Sequence, residues 1–140
     1  MVGIVVIAHQ NLAEELIRSA QHIVGGNEAA LAAVAIHPEV SYEEARQRVA
    51  AALEEVRDHH GAVILTDMYG GTPANLGMDF LEPGRTELIA GVNLPMLVRL
   101  LTYRSKPLEE QLEKAVEGGR QGVVLGRNRP RPHSTWQGQP

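Results

Sequence analysis

The sequence predicts an α/β fold: a mainly parallel central sheet of four strands plus one edge strand, with helices on both faces. Two observations carry this. Short, near-continuous apolar runs at residues 3–8, 30–36, 62–67, 87–92 and 122–125 suit strands that are covered on both sides. Longer segments of helical period stand between them, and that alternation leads to right-handed crossovers and parallel pairing. Sheets of this kind carry their chemistry at the carboxyl ends of the strands.

The first run, Gly3-Ile4-Val5-Val6-Ile7-Ala8, ends in His9. A helix over residues 12–24 follows, because Leu12, Leu16, Ile17, Ala20, Ile23 and Val24 share one face and Gly25-Gly26 stops it. Asn11 with Glu14 has the form of a capping box. After the second strand, Tyr42, Ala45, Val49, Leu53 and Val56 define a helix that starts at a Ser41 cap and ends near Gly61. The third strand ends at Asp67, and Met68-Tyr69-Gly70-Gly71-Thr72-Pro73-Ala74-Asn75 follows. Two glycines permit a tight turn and a close ligand approach, Thr72 is the expected N-cap, and Pro73 fits the first helical position. Taken alone, this stretch is a turn and helix start as readily as a phosphate site.

The fourth strand runs into Gly91-Val92-Asn93-Leu94-Pro95-Met96, with Asn93 the expected cap of an unusually apolar helix near residues 94–103. Another helix is expected near residues 107–117, its inner face made by Leu108, Leu112, Ala115 and Val116. The run at 122–125 is short and late, and suits an edge strand or a strand paired with another subunit. One domain over residues 1–126 is expected, followed by a mobile, weakly basic tail at 127–140, where prolines and arginines stand without period.

Composition narrows the function classes. A net charge of −4 leaves no nucleic-acid footprint, and the absence of cysteine excludes disulfides and thiolate zinc sites. There is no His-Glu-x-x-His, dinucleotide fingerprint or P-loop lysine, so no metal and no cofactor is expected. The N-terminal apolar run is too short for a signal peptide or a membrane span, which points to the cytoplasm.

His9, Asp67, Gly70, Gly71, Thr72 and Asn93 all fall at strand carboxyl ends and therefore on one rim. If the first and third strands are neighbours, the Asp67 carboxylate reaches the His9 imidazole. The other histidines read as surface or capping groups: His22 within the first helix, His37 in a loop before Pro38, His59-His60 closing the second helix, and His133 in the tail.

Three stretches, in order, give the chain a family resemblance: Ile4-Val5-Val6-Ile7-Ala8-His9, Asp67-Met68-Tyr69-Gly70-Gly71-Thr72-Pro73, and Ala90-Gly91-Val92-Asn93-Leu94-Pro95-Met96-Leu97. The chain resembles the enzyme IIA domain of the mannose family of the bacterial phosphoenolpyruvate-dependent sugar phosphotransferase system, a phosphoryl carrier. The resemblance covers residues 1–125. It implies that His9 accepts the phosphoryl group on Nε2 while Asp67 orients the ring through Nδ1. Gly70, Gly71, Thr72 and Asn93 are then the phosphoryl-binding residues. It further implies phospho-HPr as donor, a histidine or cysteine of an enzyme IIB as acceptor, and a homodimer that exchanges residues 122–125 as an antiparallel strand. Membrane contact is implied only through transporter subunits.

Tyr69 stands where many members carry tryptophan, and Thr72 where serine is common. No IIB domain follows within the sequence, so a separate IIB is expected. Two alternatives share the histidine strand: a regulatory IIA that signals through its phosphorylation state, and the phosphotransferase subunit of dihydroxyacetone kinase. Gly70-Gly71-Thr72-Pro73 argues against the second.

Overall fold

A computed structural model describes residues 1–26 and 29–129. Four strands, β1 (Gly3–His9), β2 (Leu31–Ile36), β3 (Ala62–Thr66) and β4 (Thr86–Ala90), alternate with α1 (Leu12–Val24), α2 (Tyr42–Val56) and α3 (Thr72–Met78). Two further helices, α4 (Leu94–Thr102) and α5 (Leu108–Gln121), follow β4. All strand pairs are parallel and the sheet order is β2-β1-β3-β4, as an α/β alternation requires.

The period of two along each strand divides the core between the two faces. Ile4, Val6 and Ala8 of β1 pack with Val63 and Leu65 of β3 beneath α1, α4 and α5, where Leu97 and Leu100 are fully buried. Val5, Ile7 and Ile64 point the other way, against Val49 and Leu53 of α2 and Leu76 of α3. Covering on both sides is why β1 reads as an unbroken apolar run. Each of these large side chains contributes ~1.5–3 kcal/mol on burial, so β1 and β3 are rigid where they end.

Several local expectations change. Ser41 caps α2 as expected, accepting a hydrogen bond from the Glu44 N–H at 3.1 Å. Asn11 makes no side-chain cap bond, because its backbone (φ −95°, ψ 13°) is not in the extended conformation that turns a cap side chain toward the first turn. Gly71, extended at φ −84° and ψ 172°, is the cap of α3, so Thr72 and Pro73 are already helical. The α2 helix stops at an extended Arg57, which leaves His59 and His60 in the turn beyond it rather than in its last residues.

Helix α5 runs through Gly118 and Gly119, four residues beyond its expected end. These glycines let α5 approach α4 closely, since a Cβ on Gly119 would stand 2.7 Å from Met96 Cε. Residues 122–125 are not a strand in this chain. Gly122 and Val123 instead donate back to Gly118 and Arg120, a single 3₁₀ turn follows at Gly126–Asn128, and Val123 is 78% exposed. A strand needs a partner edge, and within the described residues this segment has none. Residues 127–129 belong to that turn or follow it; residues 130–140 of the expected tail lie outside the described residues. Among the described residues, no helix is long and apolar enough to cross a membrane.

Candidate functional site

Because β1 pairs with β3, the residues that end these strands meet. His9 Nδ1 lies 2.7 Å from Asp67 Oδ2, and the His9 backbone N–H donates to the same oxygen at 2.9 Å. The Met68 N–H donates to Oδ1 at 2.9 Å. Burial pushes the Asp67 carboxyl upward, but hydrogen bonds from the His9 backbone, the His9 ring and the Met68 backbone outweigh it and hold Asp67 below the usual carboxylate range. Asp67 is therefore ionised at neutral pH and can only accept, so Nδ1 carries the proton. The lone pair is left on Nε2, in a ring whose side chain is 50% exposed while that of Asp67 is 12% exposed.

The turn between β3 and α3 closes on the ring. Gly70 takes a left-handed φ of +88°, and a Cβ on Gly71 would stand 3.4 Å from His9 Cε1. Thr72 shares with His9 a cavity of about 290 Å³ whose far wall is built by Ile36, His37, Pro38 and Val40. Met68 and Tyr69, in the same turn, are 59% and 77% exposed.

Asn93 is placed differently. Its Oδ1 accepts from the Met96 N–H and its Nδ2 donates to the Gly119 carbonyl, each at 3.0 Å, so both ends of the amide tie α4 to α5. It is not among the residues that line the His9 cavity.

Two further residues, Gln10 and His37, line this region. Gln10 follows His9 with φ +54°, a conformation uncommon for a residue with a side chain. Its Oε1 lies 3.1 Å from His37 Nδ1. The strand-end rule that singles out His9 applies equally to His37, one residue past β2, but the following Pro38 marked it as a plain loop position. At the opposite end of the sheet, the turn before β3 gathers donor atoms of Asp58, His59 and His60 within 4.8 Å of one another, all exposed.

Comparison with known proteins places the chain in a family. The sequence profile described as "PTS system fructose IIA component", EIIA-man, matches residues 3–117. The chain is 31% identical over 132 residues to the PTS system mannose-specific EIIAB component of Escherichia coli K12, covering 92% of this chain and 41% of that one. It is 29% identical over 105 residues to the PTS system fructose-specific EIIA component of Bacillus subtilis, covering 74% and 71% respectively. The mannose/sorbose specific IIA subunit of the phosphotransferase system from Enterococcus faecalis superposes with a TM-score of 0.81 at 26% identity, over 96% of this chain and 98% of that one. The phosphotransferase system component EIIA of Streptococcus agalactiae shares the fold, with a TM-score of 0.82 at 21% identity over 92% and 100%. The chain thus spans about two-fifths of the length of its E. coli relative and nearly all of these two solved chains. With the profile matched from the start of β1 to the last turns of α5, the chain belongs to the mannose/fructose IIA family of the sugar phosphotransferase system.

Proposed function

We propose that the protein is a phosphoryl carrier, receiving a phosphoryl group from phospho-HPr on His9 and handing it to a separate enzyme IIB. The observation that carries this reading is the 2.7 Å contact between His9 Nδ1 and a carboxylate held in its ionised form. A carrier needs a nucleophile that is unprotonated near neutral pH and forms a bond weak enough to pass on, and imidazole meets both needs. The Nε2 lone pair attacks phosphorus while the bond from phosphorus to the donor breaks and its electron pair stays with the donor. The His9 ring becomes cationic, and Asp67 stabilises it without taking the Nδ1 proton.

Gly70, Gly71 and Thr72 serve this step by leaving room beside the ring and offering the Thr72 hydroxyl and nearby backbone N–H groups to the transferring oxygens. The start of α1, where Asn11 makes no side-chain cap bond, offers further backbone donors. Asn93 contributes as the cap that fixes α4. Onward transfer to a IIB histidine or cysteine reverses the step, and the cytoplasm is where both partners are met. We assign a homodimer in which residues 122–125, apolar and exposed, add a strand to the partner's sheet.

The test is incubation with phosphoenolpyruvate, enzyme I and HPr, followed by intact mass. One acid-labile phosphoryl group per chain is expected, absent in His9→Ala. No uptake from a competent donor refutes the carrier function.

A further inference from the structure

We infer that His37 is a second imidazole of the phosphoryl pocket, facing the group carried on His9 and donating a hydrogen bond to its oxygens. The inference rests on the reading of His9 as the phosphoryl acceptor. Its physical basis is the pairing of β1 with β2. His9 stands opposite Ile36, and the Gln10 N–H continues the ladder to the Ile36 carbonyl at 3.0 Å, so Gln10 and His37 leave the sheet side by side. His9, His37 and Thr72 then line the same cavity.

Gln10, next to His9 in the chain, holds the His37 imidazole. Its left-handed backbone costs about 1–2 kcal/mol in a residue with a Cβ, so something must hold it there. The contact it makes from that position is the one between Oε1 and His37 Nδ1, at 3.1 Å. An amide oxygen only accepts, so Nδ1 of His37 is the donor in this pair. Nδ1 is thereby committed, and Nε2 is the nitrogen that remains for the cavity. The same logic orients His9 through Asp67.

Charge favours the arrangement. His37 also borders the groove along the outer edge of β2, where Glu14 of α1 and Arg48 and Glu55 of α2 face it, and Glu39 lies two residues on in its own loop. Asp67 is on the far side of His9 and bonded to it. A phosphoryl group on His9 would bring negative charge to the cavity that His37 lines, where a proton on its Nε2 would meet it. During transfer the bond to phosphorus forms at His9 Nε2 as before. The proton on His37 stays on His37, which acts through its hydrogen bond and charge.

Phosphoramidate tests this independently of HPr, because it phosphorylates histidine directly with loss of ammonia. The initial rate of His9 phosphorylation, read by peptide mapping, is compared between the parent protein and His37→Gln at pH 6 and pH 8.5. Taking the ratio at each pH cancels the donor's own titration. The parent is expected to be faster on the order of tenfold at pH 6, the effect of one opposite charge within about 4–6 Å, with the ratio falling toward one at pH 8.5 as imidazole loses its charge. A ratio that does not change with pH overturns the proposal, and so does failure of the parent to gain a phosphoryl group on His9. A second readout needs no variant: the ring resonances of His37 should shift when His9 is phosphorylated, and unmoved resonances refute the contact. If phosphoramidate gives the pH-dependent ratio while phospho-HPr gives no uptake, the carrier function fails and the role of His37 stands.

Discussion

Asp67→Asn isolates what the carboxylate does. Three donors converge on it: the His9 N–H and Nδ1–H on Oδ2, and the Met68 N–H on Oδ1. A carboxylate accepts all three, whereas an amide has one accepting oxygen and one donating nitrogen. If the amide oxygen faces His9, its NH₂ meets the Met68 N–H donor to donor. If the amide turns over, its NH₂ faces Nδ1, and the ring must move its proton to Nε2, the nitrogen proposed to attack phosphorus. Either arrangement removes a charge-assisted hydrogen bond worth ~1.5–3 kcal/mol and leaves a donor short of an acceptor at a further cost of ~1–3 kcal/mol. About 3 kcal/mol of this falls on the step that makes the ring cationic, a slowing of roughly a hundredfold. Rapid-quench transfer from radiolabelled phospho-HPr measures that step in a single turnover. A circular dichroism spectrum like that of the parent is expected, since the carboxylate caps no helix and fills no core. A folded variant that transfers at the parental rate would refute the orienting role of Asp67.

Asn93→Ala should behave in the opposite way. Losing the α4 cap costs ~1 kcal/mol, and stranding the Gly119 carbonyl adds a comparable amount, so thermal denaturation should move down by several degrees while phosphoryl transfer at 25 °C is kept. A transfer defect without loss of stability would instead make Asn93 a phosphoryl ligand. The acid limb of stability carries a separate signature. The Asp67 carboxyl is held below its usual range in the folded chain, so its contribution is present above the unfolded carboxylate pKa and is lost as pH falls through the folded value. Urea unfolding of the parent should therefore weaken below about pH 4 more steeply than that of Asp67→Asn; parallel curves would count against the depressed carboxyl. Finally, ending the chain at Gln121 removes the exposed 122–125 segment but spares α5. Light scattering after size exclusion should then give monomers, and a dimer that persists would rule out strand exchange as its basis.

The fold class was legible because both faces of β1 and β3 are buried, so that Thr66, itself fully buried, is the one polar side chain inside the two runs before His9 and Asp67. His9 and Asp67 stood out for the same reason, as the first polar side chains after a core strand. Their contact was less accessible, since sequence alone does not say that β1 lies between β2 and β3. The helix expected near residues 107–117 continues through Gly118-Gly119, whose lack of side chains serves the α4–α5 contact. Residues 122–125 are ambiguous, because a short β-branched run records a preference for pairing but not whether an edge is within reach. His37 reads as a loop residue before Pro38, and its place on the His9 cavity follows only from the pairing of β1 with β2.

The shape of the site bears on the proposed carrier role. An enzyme handling a small labile group gains by closing over it and excluding water. A carrier that exchanges with two macromolecules has to present its nucleophile to both, and the 50% exposure of His9, with Met68 and Tyr69 exposed in the turn after β3, suits that demand. Exposure brings loss of orientation, since a surface imidazole would ordinarily rotate among rotamers and tautomers. Here the loss is countered from beneath. Asp67 is mostly buried, takes both the ring and the backbone N–H of His9, and is itself fixed by Met68. The rigid ends of β1 and β3 supply the precision while the rim supplies the access. The proposed contact of His37, held in turn by Gln10, extends the same device to β2: a half-exposed imidazole whose inward nitrogen is tied down so that the other can meet phosphate.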